Sequence, residues 1–175
     1  MVEIQEVAGK TSIQEYLFLV GGALLGIIRD GDLIEWDVDI DYGLVVPELS
    51  EDIESKIEDF REYLRSIGFY VSHNPTERGY RGAALAFYAE KKDIKNDFDV
   101  EVGKEGDKVI RMQKYPFPGD VILPLRKIEF KGELFSIPNK PEEFLDIVYQ
   151  EAGWRKPIKD WSPRLDVMAK KVAHK

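Results

Sequence analysis

From residue 35 to residue 44, apolar and acidic side chains take turns: Trp36, Val38, Ile40, Tyr42 and Leu44 against Glu35, Asp37, Asp39 and Asp41. A period of two marks a strand with one buried face, and the pattern predicts a strand over residues 32–43. Upstream, the apolar run 16–20 stops at Gly21-Gly22 and resumes as ALLGIIRD. That succession predicts a strand, a tight glycine turn and a short helix starting near Ala23. Downstream, Ile53, Ile57, Phe60, Leu64 and Ile67 recur at spacings of four and three. They predict a helix over residues 50–67, with Glu51 and Asp52 in the first turn, where the helix dipole favours anions, and Gly68 at its end.

Residues 69–72 and 82–89 read as strands; the second is apolar on both faces and so belongs inside a sheet. The polar, glycine-rich stretch HNPTERGYRG separates them. Residues 97–102, DFDVEV, repeat the alternation, with Asp97, Asp99 and Glu101 on one side and Phe98, Val100 and Val102 on the other. The final third carries prolines and short strands (GDVILPL, KIEFKGELFSIP), then a helix opened by Pro141 and another from about Arg164. Strands and helices do not alternate strictly, so the predicted class is α+β, with a mixed central β-sheet flanked by helices. No repeat or linker divides the 175 residues, which predicts a single domain over 1–175.

Composition narrows the functions open to such a domain. The chain is 43% hydrophobic and 33% charged, with a formal net charge of −8. A negative surface repels extended nucleic acid but leaves small phosphorylated ligands held with a metal ion. Cysteine is absent, which removes disulfides, thiol nucleophiles and thiolate metal sites. The longest apolar run, residues 16–28, falls short of the ~20 residues a membrane helix needs and reads as core, so no membrane insertion is expected. No basic segment leads directly into an apolar run at the N-terminus, and a cytoplasmic location is the expectation.

The acids then raise a physical question. In a strand, residues i and i+2 point the same way with Cα atoms roughly 6.6 Å apart, so Asp39 and Asp41 can converge on one ion. Folding alone disfavours this, because neighbouring carboxylates repel and their desolvation raises the pKa. A divalent cation reverses the sign. Hard oxygen donors, no cysteine and only two histidines select Mg²⁺ or Mn²⁺ over zinc. If the second acidic strand lies beside the first, Asp99 supplies a third carboxylate. Asp97 faces the same way and is the alternative; Asp99 is preferred because it lies deeper in the strand. Such a cluster suits displacement at phosphorus, with metal-neutralised phosphates and a carboxylate to take the acceptor proton. Gly21, Gly22 and the helix amides from Ala23 would meet the phosphates.

Blander readings exist. Asp37, Asp39, Asp41 and Glu48 match part of a calcium-loop spacing, yet Tyr42 stands where that loop needs glycine and no helix precedes it. An acidic edge strand kept charged against aggregation accounts for the charge, but not for the glycine turn or the second acidic strand. Arg78 and Arg81 flank glycines in a loop that would move over a nucleotide, or are solvated. His73 and His174 read as loop and tail residues, and Trp36 and Trp154 as either core or stacking groups.

The stretch GGALLGIIRDGDLIEWDVDIDYGL resembles the signature of the LicD/fukutin-related group within the polymerase-β-like nucleotidyltransferase superfamily: G-[ST]-L-L-G-x-x-R, a spacer, then W-D-x-D-[IV]-D-x-G. The match runs through Leu24, Leu25, Gly26, Arg29, Trp36, Asp37, Asp39, Asp41 and Gly43. A weaker echo of the group's Y-G-x-x-W-x-x-P tail passes through Pro138, Leu145, Tyr149, Trp154 and Pro157. The resemblance implies a nucleotidyltransferase fold, Asp39 and Asp41 as the metal pair, Asp99 as third carboxylate, Asp37 as a supporting acid and Arg29 near the phosphates. It also implies transfer of a nucleotidyl or phospho-substituent group from a nucleotide-activated donor to an acceptor hydroxyl. A non-catalytic nucleotide- or metal-binding domain of the same fold is the competing reading. Ala23 stands where the group has Ser or Thr, and Gln150 replaces the tail glycine.

Overall fold

The computed structural model describes residues 1–73, 85–112, 115–149 and 153–157. Its centre is a five-stranded sheet of β1 (Leu17–Leu19), β2 (Asp39–Val46), β3 (Tyr70–His73), β4 (Phe87–Lys91) and β5 (Ile94–Val102), in the order β1-β2-β5-β4-β3. Only β2 and β5 run parallel; the other neighbours are antiparallel, so the sheet is mixed. Helix α1 (Val2–Lys10) precedes β1, α2 (Gly21–Asp30) links β1 to β2, and α3 (Glu51–Ser66) lies on the crossover after β2. Ser50 caps α3, its hydroxyl accepting from the Ile53 amide at 3.4 Å.

The even-numbered residues of β2 and β5 build the core. Tyr42 stacks on Phe98, Phe98 stacks on Phe87 at 4.4 Å between centroids, and Phe60 of α3 meets Phe87 and Phe98 edge-on. Each fully buried large apolar side chain contributes about 1.5–3 kcal/mol, and this four-ring cluster clamps α3 to the sheet. The same alternation leaves the odd-numbered residues, among them the acids, on the opposite face.

The last third forms two hairpins, β6 (Val109–Met112) with β7 (Tyr115–Pro118) and β8 (Arg126–Phe130) with β9 (Glu133–Ile137). Helix α4 (Gly119–Ile122) joins the hairpins and α5 (Pro141–Tyr149) follows them. Phe117 of β7 stacks on Phe144 of α5 at 4.6 Å, which fixes α5 to the fold.

Several boundaries differ from the sequence expectation. The strand foreseen over 32–43 begins only at Asp39, and Trp36 and Val38 are 41% and 79% exposed. Residues 32–34 instead fold back across α2: a β-carbon on Gly26 would lie 2.6 Å from the Asp32 carbonyl oxygen and 2.9 Å from the Ile34 nitrogen. Among the described residues no strand pairs with the chain upstream of Asp39: β1 is in register with Tyr42, Gly43 and Leu44, and the pairing with β5 begins at Asp39 and Lys95. α2 starts at Gly21 rather than near Ala23. α1 was not foreseen, although Ile4, Val7 and Ala8 carry its buried face. β2 lies between β1 and β5, so it is no edge strand, and α2 ends at Asp30, well before Asp37, so no helix runs directly into the acids as a calcium loop requires. Arg78, Arg81, Gln150, His174 and the helix expected from Arg164 lie outside the described residues.

Candidate active site

The acids are brought together by register. Parallel pairing sets Asp41 opposite Asp97, Gly43 opposite Asp99 and Asp39 opposite Lys95, with matched residues on one face. One carboxylate oxygen each from Asp39, Asp41 and Asp97 lies within 4.8 Å of the others. The convergent group therefore holds Asp97 where Asp99 was expected. Gly43, the residue facing Asp99, has no side chain with which to converge. Its α-carbon is covered instead by Phe18 and Met112, which a β-carbon there would meet at 2.6 and 3.2 Å. Asp99 still contributes, weakly, to the field at Asp41.

The two glycines are where α2 meets these acids. A β-carbon on Gly21 would stand 2.0 Å from Asp41 Oδ2, and one on Gly22 1.7 Å from Asp37 Oδ2. Gly21 also adopts φ +55°, a left-handed conformation that glycine takes without a steric penalty. So the Gly-Gly pair first of all makes room for carboxylates. Ala23, next along, is buried.

Burial and neighbouring charge raise the affinity of Asp41 and Asp37 for protons. Burial, then the charges of Asp39, Asp97, Asp37 and Asp99, push Asp41 up to about 7. Asp37, off the strand but hydrogen-bonded to Asp39, is pushed up to about 6, again by burial first and by Asp39 second. Asp37 stands beside the convergent three rather than among them. Lys95 Nζ lies 2.7 Å from Asp97 Oδ2, while Asp97 Oδ1 is buried with no hydrogen-bond partner. Hard oxygen donors, an Asp41 carboxyl reluctant to ionise and an orphaned buried oxygen on Asp97 are what a divalent cation would satisfy together, so the donor set fits one.

Arg29 sits at the other end of α2 from the glycines. Its Nε and Nη2 donate to Asp30 Oδ1 and Oδ2 at 2.8 and 2.6 Å, and its Nη1 donates to the Trp154 carbonyl at 3.4 Å. Trp154, buried rather than exposed, donates its indole N–H to Asp146 Oδ1 at 2.8 Å, and Arg155 lies over its ring at 4.4 Å while bridging Asp146. Trp36 is the exposed one of the two. The segment anchored this way follows Tyr149, a buried residue whose hydroxyl is pushed up by burial and then by Asp41 and Asp37. Tyr149 and Lys95 thus border the acids, and sequence reasoning gave neither a role. Lys95 was legible in spacing, two residues before Asp97 on the same face; Tyr149 is brought in by the packing of α5.

Residues 15–140 match the family described as LicD/FKTN/FKRP, nucleotidyltransferase domain. The chain belongs to this family. The LicD match runs from just before β1 to the end of the second hairpin and leaves α5 outside it. The chain is also 25% identical over 138 residues to Ribitol 5-phosphate transferase FKRP of Mus musculus and of Homo sapiens, covering 75% of this chain and 27% of each relative. It therefore spans about a quarter of the length of these curated relatives. Two structures of ANT(2")-Ia share the fold, a crystal structure in complex with adenylyl-2"-tobramycin and a solution structure of this antibiotic-resistance factor. They superpose with TM-scores of 0.57 and 0.53, at 17% and 16% identity, over 98% of this chain and 84% of theirs. The LicD domain described here thus has the nucleotidyltransferase α+β fold with a mixed central sheet.

Proposed function

We propose that this LicD-family domain is a Mg²⁺- or Mn²⁺-dependent transferase that moves a nucleotidyl or phospho-substituent group from a nucleotide-activated donor to an acceptor hydroxyl. The observation that carries this reading is the convergence of Asp39, Asp41 and Asp97 from two parallel strands, within 4.8 Å, at a cost in desolvation that folding alone does not repay.

In this reading Asp39, Asp41 and Asp97 hold the metal, with Asp37 orienting Asp39 through their hydrogen bond. A bound divalent cation would neutralise phosphate oxygens and favour attack at phosphorus. Gly21, Gly22 and Ala23 open α2, whose first amides favour an anion at that end. Arg29, tied to Asp30 and to the Trp154 carbonyl, holds residues 153–157 and with them the end of α5 beside the acids. The acceptor oxygen forms its new bond to phosphorus as the bond to the leaving nucleoside monophosphate or pyrophosphate breaks, and its proton passes to a carboxylate of the convergent group or to Asp99 beside it.

A panel of CTP, CDP-choline, ATP, GTP and UTP, each with and without Mg²⁺, tests the reading by melting temperature, since a ligand that binds the folded state raises it. A labelled donor then tests turnover. A transferase turns over with Mg²⁺ and loses activity in Asp39→Asn while remaining folded. A binding domain shows only the thermal shift, and a protein indifferent to every nucleotide at millimolar concentration is not a nucleotide-dependent transferase.

A further inference from the structure

Among the described residues, Lys95 is the cation placed directly on the convergent acids, and the reading above gives it no task. Its position is set by three strands: Lys95 pairs in register with Asp39 of β2 on one side and Glu90 of β4 on the other. From there its Nζ reaches Asp97 Oδ2 at 2.7 Å and lies 5.0 Å from the centre of the Tyr88 ring. Asp39 and Asp41 also act on it electrostatically. The Lys95 side chain is 41% exposed, so the ammonium can leave Asp97 for water or a ligand without dragging the backbone.

We propose that Lys95 is an internal counter-ion: it occupies Asp97 in the metal-free protein, yields that oxygen when a divalent cation binds, and then pairs with a phosphate of the donor. The first half rests on the metal site of the functional reading above, and the second half rests on its nucleotide donor as well.

Charge decides the order of events. Three carboxylates and one ammonium leave a formal charge of −2 in the cluster, which a divalent cation cancels. Asp97 Oδ2, bound to Lys95 in the metal-free state by a part-buried ion pair, is then claimed by the cation of higher charge. The arriving donor brings fresh negative charge to the same spot. Lys95, its ammonium beside the Tyr88 ring and its side chain 41% exposed, has a charge to offer it at short range.

The test uses the full chain and two variants, Lys95→Met and Lys95→Arg, with calorimetric titration of Mn²⁺ alone and then of CDP at saturating Mn²⁺. Removing a unit positive charge beside the carboxylates should tighten Mn²⁺ binding in Lys95→Met by roughly tenfold, and CDP should bind that variant roughly tenfold more weakly. Lys95→Arg should restore CDP affinity, which a merely structural defect would not allow. Equal or weaker Mn²⁺ binding in Lys95→Met overturns the counter-ion role. Tighter Mn²⁺ with unchanged CDP affinity overturns the transfer to phosphate. A wild-type protein that binds Mn²⁺ but not CDP overturns the nucleotide reading and that transfer with it, while the Mn²⁺ comparison still decides the counter-ion. A wild-type protein that binds no Mn²⁺ overturns both.

Discussion

Gly22 and Asp37 touch so closely that a single methyl group on the glycine would overlap the acid, its carbon 1.7 Å from Asp37 Oδ2. Gly22 is not among the positive-φ glycines, so Gly22→Ala tests space alone. The variant should displace the Asp37 carboxylate, the free end of a half-buried side chain, at little cost to the fold. We expect weaker Mn²⁺ binding by calorimetry with the melting temperature near wild type. A variant with wild-type Mn²⁺ affinity would show that Asp37 need not sit against α2.

The two carboxylates of β5 should separate. Asp97→Asn removes a member of the convergent group and should abolish Mn²⁺ binding or reduce it by a large factor. Asp99→Asn, two residues further along β5, should leave Mn²⁺ affinity close to wild type. Mn²⁺ titrations of the two variants check this, and equal losses would mean that the register is read wrongly.

Asp41 predicts how stability depends on pH without metal. Its folded pKa is raised, from an ordinary 3.8 to about 7, so the folded protein binds more protons than the unfolded chain between those values. Its contribution is fully present below about 4 and is lost as pH rises through about 7. In EDTA, Asp41→Asn should therefore melt higher than wild type at pH 8, with the advantage shrinking toward pH 5. Mg²⁺ should stabilise the wild type more at pH 8 than at pH 6, because proton and metal compete for Asp41. Thermal scans across this range decide it, and a variant that melts lower at pH 8 refutes the assignment.

Phe98 is the ring on which Tyr42, Phe87 and Phe60 all converge. Phe98→Ala should destabilise by about 3–5 kcal/mol, as large core truncations do, measured by chemical denaturation. Tyr42→Phe at the end of the same stack should be neutral or stabilising, since the buried Tyr42 hydroxyl has no hydrogen-bond partner.

Asp146 holds both the Trp154 indole and Arg155. Asp146→Ala should cost about 1 kcal/mol through the lost indole hydrogen bond, with the exposed Arg155 pair adding little. Trp154 should become more exposed, read as a red shift of tryptophan fluorescence, and an unshifted spectrum would show that packing alone seats it.

The chain by itself determined the local grammar: a short apolar run, two glycines, a helix of ALLGIIRD, and an acidic strand with its carboxylates two apart. These follow from periodicity and from the conformations each residue type permits, which near neighbours decide. The helix over residues 50–67 was legible for the same reason, within a residue or so at each end. The tertiary structure decided what long-range pairing controls. Whether Asp97 or Asp99 meets Asp41 depends on the register between two strands far apart in the chain, and both residues satisfy the same alternation. The alternation from Trp36 to Val38 failed to become strand because no strand among the described residues pairs with it and residues 32–34 pack back on Gly26, a contact that no local pattern encodes. Tyr149 acquires its place beside the acids in the same way, because the neighbours of a helix that docks from a distant part of the chain are set by packing. Lys95 shares a face with Asp97 by spacing, but its nearness to Asp39 and Asp41 comes from the pairing of two distant strands.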